Sequence, residues 1–259
     1  MKYFNAYLSV NLNGRKLKIP DLSIEFDYDF TSSSGANIMT LTIYNPSAQT
    51  VSAAEEVGKV KAPITVDAGY IDDHGEILLG EVFGHTIKKV NGDIALELKC
   101  SSVSSKYKNA VISRSWPENT NAKIIIRDIF QSIGLTVSAN VGEDKVYENG
   151  FSANGKISII LDSIKKDTKS TYMIDNGSVY WEPENTSGKM QALKLTYPTI
   201  LEVTPKGKNY EIRSLFNHRI ISGYKMQVES NILTGTVKVI NGRHSFKEQV
   251  RETICEVAI

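Results

Sequence analysis

Residues 22–30 read LSIEFDYDF, and this run constrains the fold more than any other. Leu22, Ile24, Phe26, Tyr28 and Phe30 alternate with Ser23, Glu25, Asp27 and Asp29. Strict period two is the signature of a half-buried strand: one face goes to a core and the other meets water or a partner. The neighbouring segments repeat the pattern. Phe4, Ala6, Leu8, Val10 and Leu12 alternate with mostly polar residues, and Leu17 and Ile19 continue after Asn13-Gly14. Asn-Gly is a tight-turn pair because both residues tolerate positive φ. Met39, Leu41 and Ile43 form a third run, stopped at Asn45-Pro46 because proline brings no amide hydrogen to a ladder. A short alanine-rich helix is expected over 47–58, capped by Ser47 and ended by Gly58. Ile64, Val66, Ala68 and Tyr70 begin the next strand. A loop of Asp72, Asp73, His74 and Gly75 turns it back into 76–89, and Asn91-Gly92 turns it again into 94–100. Several short strands separated by turn signals imply a closed or nearly closed antiparallel barrel.

The period changes near residue 104. Ala122, Ile125, Ile126, Ile129, Phe130 and Ile133 recur at helical spacing over 121–134, with Thr120 or Asn121 as cap and Gly134 at the end. A short strand is expected over 135–141 and a second helix over 156–166, with Ile157, Ile160, Leu161 and Ile164 on one stripe. Residues 171–174 and 178–181 flank Asp175-Asn176-Gly177, a hairpin signal. Strand signals return from Leu193 onward, punctuated by Pro205-Lys206-Gly207 and by Asn241-Gly242. The expected class is mainly β (α+β): a first β-barrel module over 1–103, a small α/β insert over 104–182 and a second β-barrel module over 183–259.

The chain has 259 residues and a formal charge of +1, too near neutral for a protein that grips duplex DNA. The N-terminal run is broken by Asn5, Ser9, Asn11 and Asn13, which argues against a signal peptide, and no stretch reaches the ~20 apolar residues of a membrane helix. The expectation is a soluble product of the cytoplasm unless it is built into something larger. Two cysteines make no disulfide framework. Cys100 follows the apolar side of an alternating run and reads as a buried thiol, with a Cys100–Cys255 pairing left open. No catalytic constellation stands out, so no enzyme, cofactor or metal is expected. His74, His85, His218 and His244 form no ligand pair. His74 is expected to be exposed and idle, His85 structural, and His218 and His244 open to an interface role. Paired carboxylates at Asp72-Asp73 and Asp27/Asp29 read as solvated faces rather than a glycosidase pair. Short lysine clusters lack the aromatics that single-strand binders stack on bases. Trp116 and Trp181 are too isolated for a carbohydrate platform and read as packing or interface residues.

The ordered segments LSIEFDYDF, NIMTLTIYNP, ITVDAGYIDDHGEILLGEVF, LELKCSS, YENGFSANGKISIILDSI, STYMIDNGSVYWEP and LFNHRIISGYKMQVES resemble the baseplate hub proteins of contractile phage tails and tailocins, the late control protein D-like family. The resemblance spans most of the chain. It departs at the C-terminal GRHSFKEQVRETICEVAI, which lacks an aromatic-rich ending. It implies two tail-tube-like barrels per chain and a homotrimeric, pseudo-sixfold ring joining the tail tube to a central spike. It also implies as partners the tail tube protein, a spike or tail-tip protein, a tape-measure protein and baseplate wedge proteins. Nucleic acid would pass only in transit, no membrane is involved, and the product would be assembled into a virion tail or tailocin. The rim loop Asp72, Asp73, His74 and Gly75 is the expected ring or tube contact. A distal-tail or tube-type protein, or a carbohydrate-binding or degrading β-protein, are the alternatives.

Overall fold

The computed structural model describes residues 5–31, 37–60, 63–102, 107, 109–175, 178–184 and 190–259. These fall into two compact units, one of 5–102 with 190–259 and one of 107–184. In chain order the first unit contributes β1 (Ala6–Leu12), β2 (Arg15–Lys18), β3 (Ile24–Thr31), β4 (Ile38–Tyr44), α1 (Ala48–Val60), β5 (Pro63–Tyr70), β6 (Asp73–Val90) and β7 (Asp93–Ser101). The second unit follows with β8 (Val111–Trp116), β9 (Thr120–Asn121), α2 (Ala122–Ser132), β10 (Thr136–Ala139), β11 (Val146–Tyr147), β12 (Phe151–Lys156), α3 (Ile157–Asp167), β13 (Ser170–Asp175) and β14 (Ser178–Pro183). The chain then returns to the first unit as β15 (Met190–Thr196), β16 (Ile200–Lys206), β17 (Asn209–Leu215), β18 (Lys225–Glu229), β19 (Thr234–Phe246) and β20 (Arg251–Ala258). No described helix is long and apolar enough to cross a membrane.

The chain is mainly β, as its alternating runs imply. The first unit holds a 13-stranded sheet in the order β16-β17-β20-β19-β3-β4-β7-β6-β5-β1-β2, with β18 on β19 and β15 on β18. All of its pairings are antiparallel except β15–β18. The alternation read in 22–30 holds to the residue. Ile24, Phe26, Tyr28 and Phe30 are buried, whereas Glu25, Asp27 and Asp29 are not. Asn13-Gly14 and Asn91-Gly92 turn with positive φ at both residues. The Ser47 hydroxyl accepts the Thr50 amide hydrogen at 3.2 Å and caps α1. The helix continues past Gly58 to Val60.

One difference from the sequence reading lies at 241–242. Asn241-Gly242 is no turn: β19 runs straight through it for 13 residues. Instead, Gly242 pairs with Phe30 of β3, so residues before and after the insert lie in one sheet. A Cβ at Gly242 would meet the Ile254 carbonyl oxygen at 2.5 Å and the Phe30 ring at 2.6 Å. Glycine is needed there for close approach, not for chain reversal. The described strands before and after the insert therefore fall in one compact unit and share one sheet. Their apolar faces make one core. Leu8, Phe26, Met39 and Leu41 pack in the same cluster as Phe216, Met226, Val239 and Phe246. Phe26 stacks on Phe246 with centroids 5.4 Å apart, and Phe216 meets both edge-on. Cys100 and Cys255 are free and buried, and burial pushes both thiols up to about 12.

In the second unit, α2 and α3 bury Ile125, Ile126, Ile129, Phe130, Ile157, Leu161 and Ile164. The expected hairpin strands β13 and β14 pair antiparallel; turn residues 176 and 177 lie outside the described residues. Trp181 is fully buried and stacks on Tyr172 at 4.9 Å. Trp116 is buried and donates its indole hydrogen to Asp128 at 3.0 Å. The β8–β12 ladder had no legible alternation in VISRSW and FSANGK.

Gly242→Ala is expected to lose about 1–3 kcal/mol of stability through overpacking. Denaturant unfolding checks this, and an unchanged midpoint would contradict the tight seat against Phe30.

Candidate functional site

Of the expected rim loop, Asp72 lies in the turn and the other three residues lie in a strand. The turn falls at Ile71 and Asp72, and Asp73, His74 and Gly75 already pair in β6 with Tyr70, Gly69 and Ala68. Glycine at 69 allows this tightness: a Cβ there would collide with the Asp73 carbonyl oxygen. Of the four residues, three have partners within the first unit. The Asp73 carboxylate receives both terminal nitrogens of Arg219, one at 2.9 Å. His74 stacks on Tyr7 at 3.8 Å and shares a hydrogen bond with Asp67 at 2.9 Å, so it is not idle. Gly75 lies so close to His218 that a Cβ would meet its ring at 2.5 Å. Burial, then Arg219, lower the His218 pKa against the pull of Asp73 and Asp67. Asp72 projects, exposed, beside Ile71.

The partners of this corner come from residues 216–220, and His244 holds that segment in place. His244 is fully buried among Tyr28, Phe30 and Phe216. Its Nε2 lies 3.0 Å from the Ile220 carbonyl oxygen, which only accepts, so Nε2 carries the hydrogen. Nδ1 then accepts the Thr253 hydroxyl at 2.8 Å, and that hydroxyl oxygen accepts the Asn217 amide hydrogen at 3.2 Å. Burial favours the neutral imidazole and pushes its pKa down to about 3. Alternation marks His244 as core-facing between Arg243 and Ser245, but the apparent Asn241-Gly242 turn hid that signal.

A second feature is the sheet face turned away from the core. From β16 to β6 the register places on it Glu211, Arg213, Glu252, Glu256, Arg243, Ser245, Asp27, Asp29, Thr40, Glu97, Lys99 and Lys88. Oppositely charged neighbours meet across the strands. Arg213 binds Glu252 at 2.7 Å, Arg243 binds Asp29 at 2.6 Å, Lys247 binds Asp27 at 2.8 Å and Lys88 binds Glu97 at 2.6 Å. Lys206 lies 3.4 Å from both Glu211 and Glu256. Burial would raise the Asp27 carboxyl, but hydrogen bonds from Lys247 and Ser245 outweigh it and hold it below its ordinary value. The Lys88 hydrogen bond likewise lowers Glu97. Charges of opposite sign are interspersed on this face, and Ile38, Leu215 and Ile254 share it. Among the described residues no group of three or more His, Cys, Asp or Glu is placed to hold a metal ion.

Two measurements check this geometry. The Asp73–Arg219 pair is about half exposed, so a double-mutant cycle with alanine should give a coupling of only about 0.2–1 kcal/mol that shrinks with salt. A coupling indistinguishable from zero at low salt would remove the clasp. His244 has a depressed folded-state pKa, so its contribution is full above the unfolded value near 6.5 and is lost as pH falls toward about 3. Stability should drop by about 2 kcal/mol between pH 7 and pH 5 from this group, and the drop should be absent in His244→Gln. Equal pH profiles for the two proteins would contradict the neutral lock.

Neither a family model nor a curated protein matches the sequence. Solved structures match it in fold. The 43 kDa tail protein of prophage MuSo2 from Shewanella oneidensis aligns with a TM-score of 0.71 over 98% of each chain, at 9% identity. A tail protein from Neisseria meningitidis MC58 aligns at 0.64 over 98% of this chain and 96% of that one, at 10% identity. An Escherichia coli component of the type VI secretion system, described as similar to the T4 bacteriophage tail proteins gp27 and gp5, aligns at 0.62 over 92% of this chain and 73% of that one, at 8% identity. The fold of this chain is that of phage tail proteins and of a related secretion component.

Proposed function

We propose that the chain is a structural baseplate hub of a phage tail or tailocin, working as a homotrimeric ring that joins the tail tube to a central spike. The observation that carries this reading is the fold match over 98% of both chains to a prophage tail protein, which takes in both β segments and the insert together. The charge-paired face supports it physically. A channel that passes nucleic acid or a tape-measure protein must be wet without gripping its cargo. A basic wall would bind phosphates by counterion release, whereas a wall of paired charges offers no such gain. The tail tube protein, a spike or tail-tip protein and baseplate wedge proteins are the partners this role requires. The role needs no catalysis, no cofactor and no metal, and it puts the protein in the finished particle.

The corner keeps a part in the proposal, reduced to what projects. Ile71 is 58% exposed next to Asp72, and these two side chains are free to meet a stacked ring while Asp73 and His74 brace them from behind. Heterologous contacts that close after three copies leave no free interface. Light scattering of the purified chain should therefore give a trimer mass independent of concentration. A hexamer or a growing polymer would instead indicate a tube-type or distal-tail protein.

A further inference from the structure

We propose a second site, a shallow cleft at one end of the first unit that binds a neutral saccharide. β15 and β18 run parallel, with Thr196 opposite Glu229, so the turns that follow both strands lie side by side. Between them opens a cleft of about 600 Å³ lined by Thr196, Tyr197, Glu229, Ser230, Asn231 and Thr234. No aliphatic side chain lines it, so it offers little to a lipid or an apolar peptide, whose binding rests on hydrophobic burial. It offers instead one aromatic face, one amide, one carboxylate and four hydroxyls.

The polar groups are arranged for a ligand that both donates and accepts. The Ser230 hydroxyl accepts the Leu233 amide hydrogen at 2.9 Å and donates to the Leu233 carbonyl at 3.0 Å, which fixes the turn carrying Asn231. The Thr234 hydroxyl donates to the Ser230 carbonyl at 3.0 Å, and the Thr196 hydroxyl donates to the Tyr197 carbonyl at 3.3 Å. The Thr234 and Thr196 hydroxyl hydrogens are committed, so those two oxygens remain as acceptors, whereas the Ser230 oxygen already accepts the Ile232 and Leu233 amide hydrogens. Among the described residues the Asn231 amide and the Tyr197 hydroxyl have no hydrogen-bond partner, and they supply the donors. Tyr197 is 57% exposed, leaving its ring free to take the C–H face of a sugar. Lys194 neutralises Glu229 at 2.5 Å, so the cleft carries no net charge to attract an ion. A polyhydroxylated neutral molecule meets every one of these features. The site stands on its own geometry and does not depend on the ring proposal.

Binding to an open, preformed cleft of this kind is expected to be weak, with a dissociation constant on the order of 1 mM. The test is a titration of the isotope-labelled full chain, followed by amide resonances, with glucose, glucose oligomers and N-acetylglucosamine oligomers in separate arms. Saturating shifts confined to the two turns, abolished in Tyr197→Ala and weakened at least several-fold in Asn231→Ala, would establish the site. Tighter binding of oligomers than of glucose would identify a glycan polymer as the ligand, and equal binding a free sugar. Absence of shifts in every arm overturns the proposal. So does binding that both substitutions leave unchanged in folded protein, since it would lie elsewhere.

Discussion

The pairing of β3 with β19 is the contact on which the rest of the first unit depends. It joins residues as far apart as Asp29 and Arg243, 214 positions along the chain. Closing so long a loop costs entropy, and the pairing must be rewarded by burial on the same strands. It is: the faces of β3 and β19 that point inward bring Phe26, Tyr28 and Phe30 against His244, Phe246 and Phe216. The absence of a side chain at Gly242 lets the Phe30 ring settle against the strand. The same geometry buries His244, which holds residues 217–220 and through them sets Arg219 on Asp73. One seam thus organises the core, the clasped corner and the continuity of the outward face.

Stability alone does not account for the paired charges of that outward face. Exposed ion pairs such as Arg243–Asp29 contribute at most about 1 kcal/mol each, and less in salt. Uncharged threonine or serine would serve a solvated sheet as well. What the paired charges supply is a hydrated surface with opposite signs interspersed, the property a conduit for charged polymers needs.

Much of this was legible in the sequence, and the losses have physical reasons. Strand faces were readable wherever one side was buried, because period two maps straight onto burial, as in β3 and β4. Turns with Asn-Gly were readable where the chain reverses at 13–14 and 91–92. The same dipeptide misled at 241–242, because glycine there answers a packing demand from a distant strand that local sequence does not record. The corner at 72–75 is legible as a turn, but its downstream partners are not. Its loop-like residues suggest a free tip, yet its partners Arg219 and His218 lie far downstream, and only the tertiary fold brings them in. Tyr197 and Asn231 were invisible for a similar reason, since parallel pairing of β15 and β18 is what sets their turns together.

In the ring we propose, the charge-paired face lines the bore. Electron cryomicroscopy of the assembled ring, or of particles containing it, tests this most directly. The account predicts three copies with Arg243, Asp29, Lys88 and Glu97 facing the axis. A ring in which those side chains face outward, or are buried against another protein, would contradict it.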